Sequence, residues 1–294
     1  MDPLSDSVFS CIFSDESTTI AMLEIINAVL TDAGDEPIRA ITKMDSQYSV
    51  LGERIGARGG RLDVRAVAED GTLFDIEVQL GSQLFMNDRS WFYGGRLLSE
   101  AFREGDDYRN MPRVRVINLL DFVLRDDHPD YLQPIGVMYK KAPVEVATDA
   151  FRIYNIELPK FRSGYQTLES AKDDPLTRWL YLLEEGYKDA REMEVLTNMT
   201  EGMRAFAKKY NRSLDDPKLK DLYELDLSAR RDQAAIAYTA EAKGRAKGHT
   251  EGRVEIIRAM LMNGVPAETI CKSAGVSPEE MEKILDEMKA QGRN

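Results

Sequence analysis

The stretch Arg61-Leu-Asp-Val-Arg-Ala-Val-Ala-Glu-Asp-Gly-Thr-Leu-Phe-Asp-Ile-Glu-Val-Gln79 is compatible with few folds. Apolar residues alternate on both sides of a polar triplet: Leu62, Val64 and Ala66 before it, and Phe74, Ile76, Val78 and Leu80 after it. Alternation of this kind predicts two half-buried strands. Glu69-Asp70-Gly71 suits a three-residue hairpin loop, because Gly71 can take the left-handed conformation that such a loop needs. If Ala68 and Thr72 close the loop, Asp63 faces Glu77, Arg65 faces Asp75, and Arg61 faces Gln79. Directly opposed side chains have Cβ atoms roughly 4.5–5.5 Å apart. Two carboxylates at that separation repel each other unless a cation lies between them, so Asp63 and Glu77 form a candidate metal site.

Length and composition frame this hairpin. A chain of 294 residues can bury a substantial core, as one large domain or two smaller ones. It is 43% hydrophobic and 31% charged, values typical of a soluble protein. No apolar run approaches the roughly 18 residues of a membrane span, so no membrane partner is expected. The acidic N-terminal stretch lacks the layout of a signal peptide. Cys11 and Cys271 lie in very different segments, which argues against a disulfide framework, and the expected compartment is the cytoplasm. The net charge of −12 argues against a general nucleic-acid binder. Every base between Lys43 and Lys140 is an arginine, whose planar fork suits both phosphate and ordinary ion pairs.

Around the hairpin the pattern is mixed. Apolar spacing from Ser5 to Leu30 predicts one or two amphipathic helices. A first strand is expected within 37–50, ending in the segment 48–51, with a glycine-rich loop over 52–60. A helix follows from about Asn87 to Arg103, then strands over 114–123, 134–139 and 151–157. From about Gln166 the pattern is almost wholly helical, with Trp179, Leu180, Leu182 and Leu183 as docking residues. Gly244, Gly248 and Gly252 recur every four residues, marking either close approach of another helix or a linker-like helix. Gly264, Pro266, Gly275 and Pro278 punctuate a helix-turn-helix-like tail. Its second helix carries Glu279, Glu280, Glu282, Asp286 and Glu287, a face better suited to protein contact or packing than to DNA. The expected divisions are a core over 1–160, a helical region over 161–235, a glycine-punctuated helix or linker over 236–262, and the tail over 263–294.

Hard divalent cations take oxygen ligands, commonly one or two carboxylates together with substrate phosphate. Asp63 and Glu77 supply two carboxylates, and the Val78 carbonyl can supply a third oxygen. Gln79 projects from the same face and can orient a water or the phosphate in metal-assisted phosphodiester hydrolysis. The competing reading is a solvated sheet face whose carboxylates pair with Arg61 and Arg65.

Asp63, a turn, and then Glu77-Val-Gln79 resemble the PD-(D/E)XK nuclease motif, with glutamine in the lysine position. The wider chain resembles the recombination-promoting nuclease family, also described as PD-(D/E)XK nuclease family transposases. The matching features are Asp6-Ser-Val-Phe9, Phe13, Arg61 to Arg65, Asp75 to Gln79, Arg89 to Tyr93, Gly105-Asp-Asp-Tyr108, and the late glycine-punctuated helix with its helical tail. The resemblance implies a restriction-endonuclease-like α/β core, a mixed sheet flanked by helices and followed by a helical C-terminal region. It implies Mg²⁺-dependent DNA cleavage, with Mn²⁺ as a substitute. Asp63 and Glu77 would then be metal ligands, Gln79 would replace the usual lysine, and Asp6 would be an auxiliary acid on the first helix. The family's opening helix often has a lysine after the phenylalanine, and here that position is Ser10. Charge stabilisation and phosphate contact would therefore fall to Arg61, Arg65 or Arg89.

Other chemistries have weaker support. His128 and His249 are the only histidines, and neither has metal-ligand spacing nearby. The segment 56–60 is followed by no Gly-Lys-Ser/Thr and is not a phosphate loop. The expected function is hydrolytic DNA cleavage by an endonuclease. The alternative is a nuclease fold with a degenerate site that binds DNA or protein, or oligomerises through its C-terminal helices.

Overall fold

The computed structural model describes residues 1–46, 64–81 and 85–291. The chain divides into two units, Met1–Ala229 and Arg230–Asn294.

The first unit opens with helices α1 (Asp6–Phe13) and α2 (Thr19–Asp32), followed by strand β1 (Ile41–Ser46). The hairpin is β2 (Val64–Ala68) and β3 (Leu73–Gln79), and helix α3 (Met86–Ala101) follows it. Strands β4 (Val114–Leu120), β5 (Leu132–Tyr139) and β6 (Ala142–Glu157) complete a six-stranded sheet of order β1-β2-β3-β4-β6-β5. The pairs β3/β4 and β4/β6 are parallel, and the others are antiparallel. Parallel neighbours need a crossover rather than a tight turn, and α3 lies in the one from β3 to β4. The mixed sheet flanked by helices agrees with the sequence expectation. The strand expected within 37–50 is β1, with Ser46 as its last residue. The segment 48–51 assigned to its end, the loop over 52–60, and Arg61 to Asp63 lie outside the described residues.

The hairpin register is the one read from the sequence: Val64 pairs with Ile76, Arg65 with Asp75, Ala66 with Phe74, and Val67 with Leu73. Ala68 N donates to Thr72 O at 2.9 Å, closing the loop, and Gly71 has φ +83°. That conformation costs an L-residue roughly 1–2 kcal/mol. Gly71→Ala should therefore lower the stability of the first unit by about 1 kcal/mol, measurable as a shift in the urea midpoint at unchanged slope. No loss would mean that the turn can relax.

Strand alternation gives the sheet two different faces. Val64, Ala66, Phe74, Ile76, Val78, Ile117, Leu119, Tyr154 and Ile156 point into the main core with α1 and α2. Leu73, Val114, Val116, Phe151 and Ile153 form a smaller core with Leu97 of α3 on the other face. Parallel strands covered on both faces read as nearly continuous apolar runs, and β4 is buried at every position. Helices α4 (Leu158–Gly164), α5 (Leu168–Ala171), α6 (Pro175–Glu184), α7 (Ala190–Thr197) and α8 (Glu201–Ser213) follow. Trp179, Leu180, Leu182 and Leu183 of α6 are buried, and Trp179 meets Phe206 of α8 edge-on with ring centroids 6.1 Å apart. Lys209 of α8 lies 2.6 Å from Asp15. Burial pushes the Asp15 carboxyl up, but hydrogen bonds from Lys209 and Ser17 outweigh it and hold the group at about 2.

Helix α9 (Pro217–Met262) runs from the first unit into the second. In the second unit it is followed by α10 (Ala267–Ala274) and α11 (Pro278–Gln291). Ile257, Ile270, Val276, Met281 and Ile284 form the core of this unit. Gly264 and Gly275 take positive φ between its helices, as the tail's glycine punctuation predicts. Ser277 and Glu280 cap α11 reciprocally, each backbone N–H donating to the other's side chain. Gly244, Gly248 and Gly252 sit inside the continuous α9, with no atom within 4 Å of where a Cβ would be. Close helix approach at that stripe is absent among the described residues. Cys11 and Cys271 are both free thiols. No described helix is long and apolar enough to cross a membrane.

Candidate active site

Odd-numbered residues of β3 face α3, which places Asp75, Glu77 and Gln79 on the side of the smaller core. Glu77 is only 4% exposed. Its Oε1 lies 3.3 Å from Nη2 of Arg89, which also stacks over the Tyr93 ring at 5.1 Å. Asp75 is also buried, with Arg65 Nε at 3.9 Å. Arg65 reaches Glu100 of α3 at 3.2 Å. The two described arginines read as phosphate contacts, Arg65 and Arg89, are thus each ion-paired to a carboxylate. Gln79 is half-buried at the end of β3 and donates through Nε2 to Gly81 O at 3.2 Å. Val78 turns its side chain into the main core, leaving its backbone between Glu77 and Gln79. Asp6 is half-buried at the first position of α1. Asp63 and Arg61 lie outside the described residues.

The parallel register adds residues that sequence reasoning missed. Glu77 aligns with Asn118 of β4, and Asn118 aligns with Asn155 of β6. Asn118 Nδ2 donates to Ser90 Oγ at 2.9 Å and to Asn155 Oδ1 at 2.7 Å. Asn155 Nδ2 donates to Asn87 Oδ1 at 2.8 Å. The first turns of α3 therefore hold one polar side chain from each of three adjacent strands: Arg89 on Glu77, Ser90 on Asn118 and Asn87 on Asn155. The signal available in the sequence was a lone amide within each of two apolar runs, Val-Ile-Asn118-Leu and Ile-Tyr-Asn155-Ile. Only the strand order shows that both align with Glu77.

More polar groups follow the carboxyl ends of the parallel strands, the region where open α/β sheets bind ligands. Arg162 of α4 is hydrogen-bonded to Asp121, at 2.5 Å, and to Glu184. Burial pushes the Glu184 carboxyl above its usual range, although the Arg162 contact pulls the other way. Lys160 lies 2.8 Å from the fully buried Glu157.

The family model described as PD-(D/E)XK nuclease family transposase matches residues 3–240, most of the chain. The chain belongs to this family. Searches of curated proteins and of solved structures each returned no match. Membership supports a nuclease-type function, and nucleases of this kind generally use divalent metal ions. The match includes the whole sheet and ends within α9.

Among the described residues no group of three or more His, Cys, Asp or Glu side chains is gathered to hold a metal. Beside Arg89, which pairs with Glu77, the side chains aligned with Glu77 carry amide oxygens, a ligand type that hard cations take. One of them, Asn118 Oδ1, is buried without a hydrogen-bond partner. The described part of the site thus fits Mg²⁺ or Mn²⁺ in chemistry.

Proposed function

We propose that this PD-(D/E)XK family member is a metal-dependent DNA endonuclease of the recombination-promoting class, acting by phosphodiester hydrolysis in the cytoplasm. The observation that carries the reading is Glu77, a nearly fully buried carboxylate on the β2–β3 hairpin, in register with the buried amide of Asn118. Asp63, Glu77 and the Val78 carbonyl would hold Mg²⁺ or Mn²⁺, with Asp6 as auxiliary acid. When bound, such a cation supplies an activated water and neutralises charge on the phosphate. Gln79 orients the water or the phosphate. An amide cannot act as a general base, so the proton passes to substrate phosphate or bulk water. Arg61, Arg65 and Arg89 supply positive charge, the last two by exchanging a carboxylate partner for phosphate. Phe85, at the N-cap of α3, and Phe92, within it, are 71% and 67% exposed and flank Arg89 in sequence, which suits stacking against bases.

A second reading has one observation in its favour. Arg89 already gives Glu77 a cationic partner, so the fold can hold this carboxylate without metal. The protein would then be a degenerate nuclease fold that binds DNA or protein, or self-associates through its C-terminal helices.

Supercoiled plasmid separates the two. Wild type is expected to nick and linearise it with Mg²⁺ or Mn²⁺ and not with EDTA, and Asp63→Ala to do neither. Equal cleavage by Asp63→Ala would refute the assignment of that residue. No cleavage by wild type under any metal would favour the second reading.

A further inference from the structure

We infer that Asn118 is a further oxygen ligand of the divalent cation at the Glu77 site. The inference rests on the metal-dependent reading above.

The orientation of the Asn118 amide is fixed by its neighbours. Ser90 Oγ lies 3.0 Å from the Met86 carbonyl, which can only accept, so the hydroxyl proton is committed there. The hydroxyl oxygen is left as an acceptor, and Asn118 must present its NH₂ to it. The same NH₂ meets Asn155 Oδ1, while Asn155 uses its own NH₂ on Asn87. Both donors of Asn118 are therefore spent, on β6 and on α3. Its carbonyl oxygen is the remaining arm of a planar amide, in a residue with no solvent exposure, and it accepts from nothing.

A buried acceptor of this kind is costly and rare, and calls for an explanation. Its neighbour across the parallel pair is Glu77, in register one strand spacing away, roughly 4.8 Å. Glu77 is also an acceptor, so neither side chain can satisfy the other. A neutral amide oxygen beside a carboxylate is a donor pair that Mg²⁺ and Mn²⁺ accept. The hydrogen bonds from Asn118 to Ser90 and Asn155 hold that oxygen in place, as partners behind a metal ligand do.

The test is metal binding read by thermal unfolding, since a cation that binds the folded state raises its apparent stability. Wild type, Asn118→Leu and Asn118→Asp are titrated with Mn²⁺ from an EDTA-stripped state. The titrations are run alone and with a nuclease-resistant phosphorothioate duplex. Each variant is compared with its own metal-free form, which separates ligand loss from any change in the fold. Asn118→Leu should bind Mn²⁺ at least about tenfold more weakly than wild type. Asn118→Asp, which substitutes a charged oxygen, should bind it more tightly than wild type despite a lower melting temperature in EDTA. If Asn118→Leu does not fold, Asn118→Asp is the deciding variant, and no gain in its Mn²⁺ affinity, with wild type responding, would overturn the role of Asn118. Unchanged affinity in both variants, with wild type responding to Mn²⁺, would overturn the role of Asn118 and leave the site standing. No Mn²⁺ response by wild type under either condition would overturn the metal site and this inference together.

Discussion

Glu77→Gln is expected to lower Mn²⁺-supported DNA cleavage at least about a hundredfold, since metal-borne charge stabilisation is worth several kcal/mol and each roughly 1.4 kcal/mol is tenfold. Glutamine keeps the shape and an acceptor oxygen but removes the charge. The nearly full burial of Glu77 makes that charge matter, because little water screens its attraction for a cation. The change also removes one half of an ion pair, leaving Arg89 beside a neutral amide. Removing one partner of a fully buried pair costs about 3–5 kcal/mol. Arg89 is 18% exposed and an amide oxygen can still accept from it, so the loss here should be smaller, on the order of 1 kcal/mol. Fold and function are thus affected to very different degrees. Initial rates on supercoiled plasmid at saturating Mn²⁺, beside unfolding curves in EDTA, measure both. A rate within about threefold of wild type would remove Glu77 from the site. A large loss of stability alongside the loss of rate would make the residue's role structural.

The parts of the molecule legible in the sequence were those fixed locally. The hairpin register follows from alternation and a loop glycine, and Ala68, Thr72 and Gly71 behave as those rules require. The tail is similar, since Gly264 and Gly275 mark helix ends by conformations open chiefly to glycine. The candidate site was legible only along β3. Asn118 and Asn155 lie 41 and 78 positions beyond Glu77 in the chain, and reach it only because β5 is set to the outside and β6 returns beside β4. No periodicity within one segment encodes that order. The arginines show the same limit. Their planar forks suited phosphate and ion pairs alike, and the hairpin register already set Arg65 opposite Asp75, but pairing of Arg65 with Glu100, and of Arg89 with Glu77, depends on where α3 docks. The glycine stripe of α9 has the spacing of a helix-packing face, yet spacing alone does not supply a second helix.

Docking of α3 onto the sheet is also where a single methyl group should have a large effect. Gly94 and Gly95 are adjacent in the middle of this helix and indistinguishable by sequence rules, each about 1 kcal/mol worse than alanine in a helix interior. The fold separates them. A Cβ on Gly94 would lie 2.3 and 2.4 Å from ring carbons of Phe151, and 3.1 Å from Val116. Phe151 is buried and stacked against Trp91 with ring centroids 4.1 Å apart, so its ring has little room to retreat. A Cβ on Gly95 would meet nothing within 4 Å. Overpacking a filled core costs roughly 1–3 kcal/mol, occasionally more, which exceeds the gain in helix propensity. Gly94→Ala should therefore destabilise the first unit, and Gly95→Ala should stabilise it by up to about 1 kcal/mol. For a unit of this size each kcal/mol moves the melting temperature by roughly 2–4 °C, so the two variants should shift in opposite directions by a resolvable amount. Cleavage should follow the same split. Moving α3 away from the sheet carries Asn87, Arg89 and Ser90 away from the row that they hold, so Gly94→Ala should lose activity at temperatures where it is still folded. Gly95→Ala should keep full activity. Equal behaviour of the two variants would mean that α3 does not pack closely on Phe151, and that its polar turn is not what orders the Glu77 row.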